Sequence, residues 1–123
     1  MRSARRLIFA ALLAVAGAGI ASAQEAAGKW TGVIKVPGND LQIIVTVAKA
    51  ADGSLSGGLE SPSQAPGMVI PIDTIKADDE LFSFTINAIQ GDFMGVWQDK
   101  TKTWSGAWTQ SGQSFPLELK PAE

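Results

Sequence analysis

Two aspartates are the best candidates for acid–base chemistry in this chain, because the usual catalytic residues are missing. The sequence has no histidine, no cysteine and no tyrosine, which removes the commonest general base, the thiol nucleophile and the soft metal ligands. Asp73 and Asp92 lie within or at the start of predicted strands, among apolar neighbours. An inward-facing pair of this kind would suit a general acid and base, but strand alternation also allows Asp73 to face solvent, opposite Ile72. We therefore expect no enzyme, with a carboxylate-dependent hydrolase as a remote alternative.

The serines and the acidic run predict turns rather than sites. The chain contains no G-x-S-x-G, S-x-x-K or P-loop motif, and its serine-bearing stretches "SGQS" and "DGSLSGG" fall where hairpin turns are needed. The run "DDE" at 78–80 lacks the spaced oxygen ligands and the glycine of a calcium loop. We expect neither a metal nor a cofactor.

A second pattern sets large apolar residues on either side of a glycine. Thr103, Ser105 and Thr109 flank Trp104 and Trp108, and these poor helix formers favour a strand, in which alternate residues share one face. The same pattern recurs three times: Trp30-Gly32-Ile34, Leu55-Gly57-Leu59 and Phe93-Gly95-Trp97.

Three interpretations of this pattern remain open. Small barrels alternate large and small inward residues to fit their taper, so the pattern is typical of a packed core. A glycine floor beneath aromatic walls would instead hold an apolar ligand or a flat ring, and a surface patch for a protein or a sugar is the third interpretation. The predicted ligand-binding residues are Trp30, Phe82, Phe84, Phe93, Trp97, Trp104 and Trp108.

The elements that must position these residues are strands throughout. Short alternating runs separated by turn residues predict eight strands, over 29–36, 41–49, 54–61, 69–77, 80–87, 91–98, 103–110 and 113–120. Tight connections favour antiparallel neighbours. We therefore predict an all-β, single eight-stranded up-and-down antiparallel barrel of lipocalin-like or fatty-acid-binding-like architecture. A two-sheet β-sandwich is the alternative.

Two prolines qualify this prediction. Pro116 cannot donate to a sheet ladder, so a seam between the first and last strands should be imperfect near it. Pro62 lies in the longest irregular stretch, 62–68, which separates two predicted strands.

The first 23 residues have the order of a secretory signal peptide. Arg2, Arg5 and Arg6 precede an apolar run shorter than the roughly 20 residues of a membrane span, and "ASA" predicts cleavage after Ala23. A retained anchor is the alternative. The remaining residues, 24–123, predict one domain, placed in the periplasm or secreted. They carry seven lysines against twelve carboxylates, a formal charge of −5, so we expect no nucleic-acid partner and, after signal cleavage, no membrane partner. The sequence leaves the oligomeric state open.

Three segments together resemble a known kind of module. They are "GKWTGVIKVPGNDLQIIVTVAKAADGSLSGGLESPSQ", "IPIDTI" and "GAWTQSGQSFPLELK". Over about 28–120 they are similar to a small β-rich module of exported bacterial proteins, found N-terminal to α/β-hydrolase and other serine-hydrolase domains and sometimes alone. The catalytic residues of such proteins lie in the hydrolase domain, so none is carried over here. The resemblance implies a non-catalytic accessory role. It also singles out a motif in the long loop, whose candidate binding residues are Ser61, Pro62 and Gln64; the alternative is that this motif only shapes the crossover.

The sequence thus predicts an exported, non-catalytic module that binds a small apolar ligand in a barrel cavity. The alternative is a protein-interaction module that acts on a periplasmic hydrolase.

Overall fold

The structure is a computed structural model, and it describes residues 25–122. The described residues form nine β-strands and one short 3-10 turn at Asn87–Ile89, so the predicted all-β class is confirmed. The strands are β1 Gly28–Val36, β2 Asn39–Lys49, β3 Leu55–Glu60, β4 Val69–Pro71, β5 Thr74–Ala77, β6 Leu81–Ile86, β7 Gly91–Gln98, β8 Thr103–Gln110 and β9 Gln113–Pro121. The predicted signal peptide, 1–23, lies outside the described residues.

All nine strands belong to one antiparallel sheet in the order β4-β3-β2-β1-β9-β8-β7-β6-β5. The sheet is curled into an open half-barrel, so the predicted closed eight-stranded barrel is wrong in its strand number and its closure. The sheet is also continuous through the pairing of β1 with β9. It is therefore not the two separate sheets of the sandwich alternative.

The extra strand arises where the predicted strand 69–77 divides. Pro71 ends β4, since a proline cannot donate to a ladder, and β5 starts at Thr74. Between them the Ile72 amide donates to Gly57 O of β3 at 2.9 Å, and the Asp73 amide donates to Thr85 O of β6 at 2.8 Å. The two edge strands are thus consecutive in sequence, and their two-residue link is bonded to both ends of the sheet.

The seam between β1 and β9 is short, as the position of Pro116 predicts. The two strands pair only at Thr31–Lys120 and Trp30–Pro121, with one further bond from the Ala122 amide to Lys29 O at 2.9 Å. Pro116 lies beyond this ladder and pairs only with Ala107 of β8. A groove of about 490 Å³ follows the unpaired part of the seam, and Val33 and Glu118 are among its lining residues.

Two-residue turns set the register of the hairpins. Ser111 and Gly112 join β8 to β9 with φ values of +50° and +83°, as a type I′ turn requires. The resulting pairs run from Gln113–Gln110 to Leu119–Trp104. The predicted ranges 91–98 and 103–110 coincide with β7 and β8.

The core lies on the concave face of the sheet. Alternate residues of β1, β2, β6, β7, β8 and β9 point into it, and the described chain has no disulfide to support it. Within residues 25–122, no helix is long and apolar enough to cross a membrane. Stability therefore depends on apolar burial.

Candidate functional site

The structure brings all seven predicted ligand-binding rings into one cluster on the concave face. Neighbouring ring centroids are 5.1 to 6.3 Å apart, in tilted or edge-to-face arrangements that aromatic pairs favour. Trp104 links its two halves, because it packs against Trp30 and Trp97 on one side and against Phe82 on the other. We call the set of seven the aromatic cluster.

Most of the aromatic cluster is a closed core. Phe82, Phe84, Phe93, Trp104 and Trp108 are at most 2% exposed and Trp30 is 4% exposed. Trp97 alone among the seven is only partly buried. The cluster therefore meets solvent mainly at Trp97.

The glycines of the large-glycine-large pattern are covered rather than open. A Cβ added to Gly95 would lie 2.5 Å from Cζ of Phe93, and one added to Gly106 would lie 1.9 Å from Met94 O. Gly91, which the pattern did not single out, has the Trp108 ring over it, with Cζ2 at 2.5 Å from the same ideal position. At these positions the glycines serve ring packing and close strand approach, as in a packed core.

The end of the aromatic cluster at Trp97 opens into a pocket. It is a solvent-open depression of about 610 Å³ whose lining residues are Asp78, Asp79, Glu80, Leu81, Val96 and Trp97. We call it the Trp97 pocket. The sequence predicts only a solvated turn at 78–80, and this pocket was missed. The predicted strands 80–87 and 91–98 form a hairpin, which brings the start of the first strand beside the end of the second; this pairing was the signal that could have placed the turn next to Trp97.

Backbone and side-chain bonds hold the pocket in shape. The Trp97 amide donates to Glu80 O at 2.9 Å. Asp78 Oδ1 accepts the amides of Glu80 and Leu81, each at 2.8 Å, and these bonds lower the pKa of Asp78, because they favour the ionised form. The turn is therefore fixed with its carboxylates at the rim.

Asp99 joins Trp97 to a lysine. Lys102 Nζ donates to Asp99 Oδ1 at 3.0 Å. This hydrogen bond, followed by the positive charge of Lys102 and by the neighbouring Trp97 side chain, lowers the pKa of Asp99. The Asp99 carboxylate thus lies beside the Trp97 side chain at the edge of the pocket.

The two candidate catalytic aspartates lie outside the aromatic cluster. Asp73 is exposed, and its Oδ2 accepts the Asn87 amide at 2.6 Å, so it is bonded to the first residue of the 3-10 turn. Asp92 is exposed on the outer face of β7, where Thr85 and Thr109 are its cross-strand partners. Both aspartates are adjacent to Thr85, but each is accounted for by a structural or solvent-facing position.

The loop candidates are also engaged locally. Ser61 Oγ donates to Gln42 O, and the Gln42 amide donates to Ser63 Oγ, both at 3.1 Å. The amide of Gln64 donates to Ser61 O at 3.0 Å, and Pro62 lies within this turn. These contacts fasten the loop to β2, away from the Trp97 pocket.

Within residues 25–122, no three acidic side chains are grouped closely enough to hold a metal ion. No protein family, curated protein or solved structure matches this chain. The hydrolase-associated resemblance therefore remains a prediction.

Proposed function

We propose that this chain is a non-catalytic, exported binding module whose ligand is a small apolar molecule held at the Trp97 pocket. The observation that supports this most is that the otherwise buried aromatic cluster reaches solvent mainly at Trp97. There the Trp97 ring forms a wall, and Leu81 and Val96 add apolar surface. Binding sites for small molecules are concave and partly apolar, with volumes of about 300–1,000 Å³, and this pocket falls in that range.

A titration with a flat apolar probe tests the proposal. In protein labelled with ¹⁵N-tryptophan, 2-ethylnaphthalene should shift the Trp97 indole resonance more than that of Trp108, which is buried in the other half of the cluster. Trp97→Ala should abolish binding. Met94→Ala, on the exposed outer face of β7, is the matched control and should leave binding unchanged. The absence of any shift at Trp97 would refute the proposal.

A second function is favoured by the outer face of the sheet. Met94 and Val96 of β7 are 58% and 48% exposed, and Ala107 and Pro116 continue the row from Met94 across β8 and β9. Exposed apolar patches of this kind mark protein interfaces. This face would bind a periplasmic hydrolase, in keeping with the resemblance of the sequence to hydrolase-associated modules.

The variant Met94→Lys separates the two functions, because Met94 lies on the outer face and does not line the Trp97 pocket. The test is a pull-down from a periplasmic extract. A hydrolase that the unaltered module retains and this variant does not would support the interface. Equal retention by both proteins, or retention of no hydrolase, would count against it. The small-molecule titration should be unaffected by this change.

A further inference from the structure

One polar atom in the aromatic cluster has no partner. Trp104 is fully buried, and among the described residues no acceptor lies within hydrogen-bond distance of its Nε1. The other buried indoles have acceptors: Trp30 donates to Ala26 O at 2.8 Å, and Trp108 donates to Gln110 Oε1 at 3.1 Å. Buried indole N–H groups usually find an acceptor, so Trp104 requires an explanation.

The unpartnered donor belongs to the ring next to the Trp97 pocket. The ring centroids of Trp97 and Trp104 are 5.1 Å apart in an edge-to-face arrangement, and Trp97 also lines the pocket. Trp104 is therefore the buried ring next to a ring that lines the pocket, and a ligand can reach it only if the Trp97 side chain moves. The Asp99 carboxylate beside the Trp97 indole is exposed, so this movement takes place at the surface of the protein.

The rim of the pocket limits the charge of a ligand. Asp78, Asp79 and Glu80 are exposed and line its opening. Three carboxylates repel an anion that approaches at this distance. A ligand acceptor that reaches Trp104 should therefore be uncharged.

We propose that the Trp97 pocket binds an uncharged apolar molecule with one carbonyl or ether oxygen, which accepts a hydrogen bond from the Trp104 indole N–H. This inference rests on the proposed function and specifies its ligand class. It excludes the fatty-acid carboxylates that a fatty-acid-binding-like architecture would lead one to expect. Trp97 forms the movable wall and Trp104 the polar anchor.

Three probes of similar shape test the inference. 2-Acetonaphthone carries a carbonyl, 2-ethylnaphthalene lacks it, and 2-naphthoate carries a carboxylate. The ketone should bind about threefold to tenfold more tightly than the hydrocarbon, as one neutral hydrogen bond provides, and the carboxylate should bind most weakly. The Trp104 indole proton should move downfield with the ketone only. The four indole resonances are assigned by single Trp→Phe variants.

The Trp104→Phe variant retains an aromatic ring but removes the donor. The advantage of the ketone over the hydrocarbon should disappear in this variant, while affinity for the hydrocarbon persists. Should the variant fail to fold, the Trp104 resonance of the unaltered protein still decides the matter.

The outcomes distinguish the inference from the function on which it rests. Equal binding of ketone and hydrocarbon, with Trp97 shifted and Trp104 unmoved, would overturn the inference and leave the function standing. Carboxylate binding as tight as that of the ketone would overturn the charge selection. No shift at Trp97 with any probe would overturn both the function and the inference.

Discussion

The two halves of the aromatic cluster differ in how completely they are packed. Around Phe93 the rings lie over glycines, and Phe82, Phe84 and Phe93 are at most 1% exposed. Around Trp97 the same face ends in an open pocket, an acidic rim and a buried indole without an acceptor. The comparison shows that one residue pattern serves two purposes. The half that contains the phenylalanines and Trp108 stabilises the sheet, and the half that contains Trp30 and Trp97 is where we expect ligand contact.

The largest difference should appear when a ring is removed from each half. Phe93→Ala should lower the free energy of unfolding by about 3–5 kcal/mol, since it leaves a cavity in a packed core. Trp97→Ala should cost about 1 kcal/mol, because the side chain is already partly exposed and such positions tolerate truncation better. Urea denaturation of both variants measures the difference. Equal losses would break the distinction between the halves.

The glycine beneath Phe93 offers a second test of the closed half. Gly95→Ala should destabilise the protein by about 1–3 kcal/mol, because the new Cβ meets the Phe93 ring and forces it to move. Adding Phe93→Leu should recover part of this loss, as expected for residues in contact. Additive losses in this double-mutant cycle, measured by denaturation, would show that the glycine does not serve ring packing.

The link between the edge strands should show a smaller effect. Asp73→Ala removes the acceptor of the Asn87 amide and should cost about 1 kcal/mol. Asp92→Asn, on the outer face, is the control and should change stability by less than about 0.5 kcal/mol. Thermal denaturation compares them. A larger loss for Asp92→Asn would contradict these structural positions.

These positions also show what the sequence reveals and what it does not. Alternation placed all seven rings on one face, and the turn residues gave the bounds of β7 and β8, because both signals are local. Alternation does not tell which ring lies at an open end, so Trp97 could not be separated from Trp104. The division of 69–77 depends on pairing with β3 and β6 far along the chain, although Pro71 was a local signal that a continuous strand was unfavourable.

The smallest effect concerns pH and should be confined to the open half. The pKa of Asp99 is lowered, chiefly by its hydrogen bond with Lys102. The stabilisation that the ionised Asp99 carboxylate provides is therefore fully present above the ordinary pKa of 3.8, and it is lost as the pH falls through the pKa of the folded protein. The Trp97 indole resonance should therefore move below about pH 4, while that of Trp108, bonded to the uncharged Gln110, should not. The pKa of Asp78, which lines the same pocket, is lowered as well, so Asp99→Asn should remove most of the shift if Asp99 is its source. An unchanged shift in that variant would assign it to the rim.

Solvent accessibility of the four indoles tests the central claim most directly. In ¹⁵N-tryptophan-labelled protein, a soluble nitroxide such as TEMPOL should strongly attenuate the Trp97 indole resonance and leave those of Trp30, Trp104 and Trp108 nearly unchanged. Attenuation of all four resonances to the same extent, or protection of Trp97 with the rest, would contradict a cluster that is closed in one half and open at Trp97.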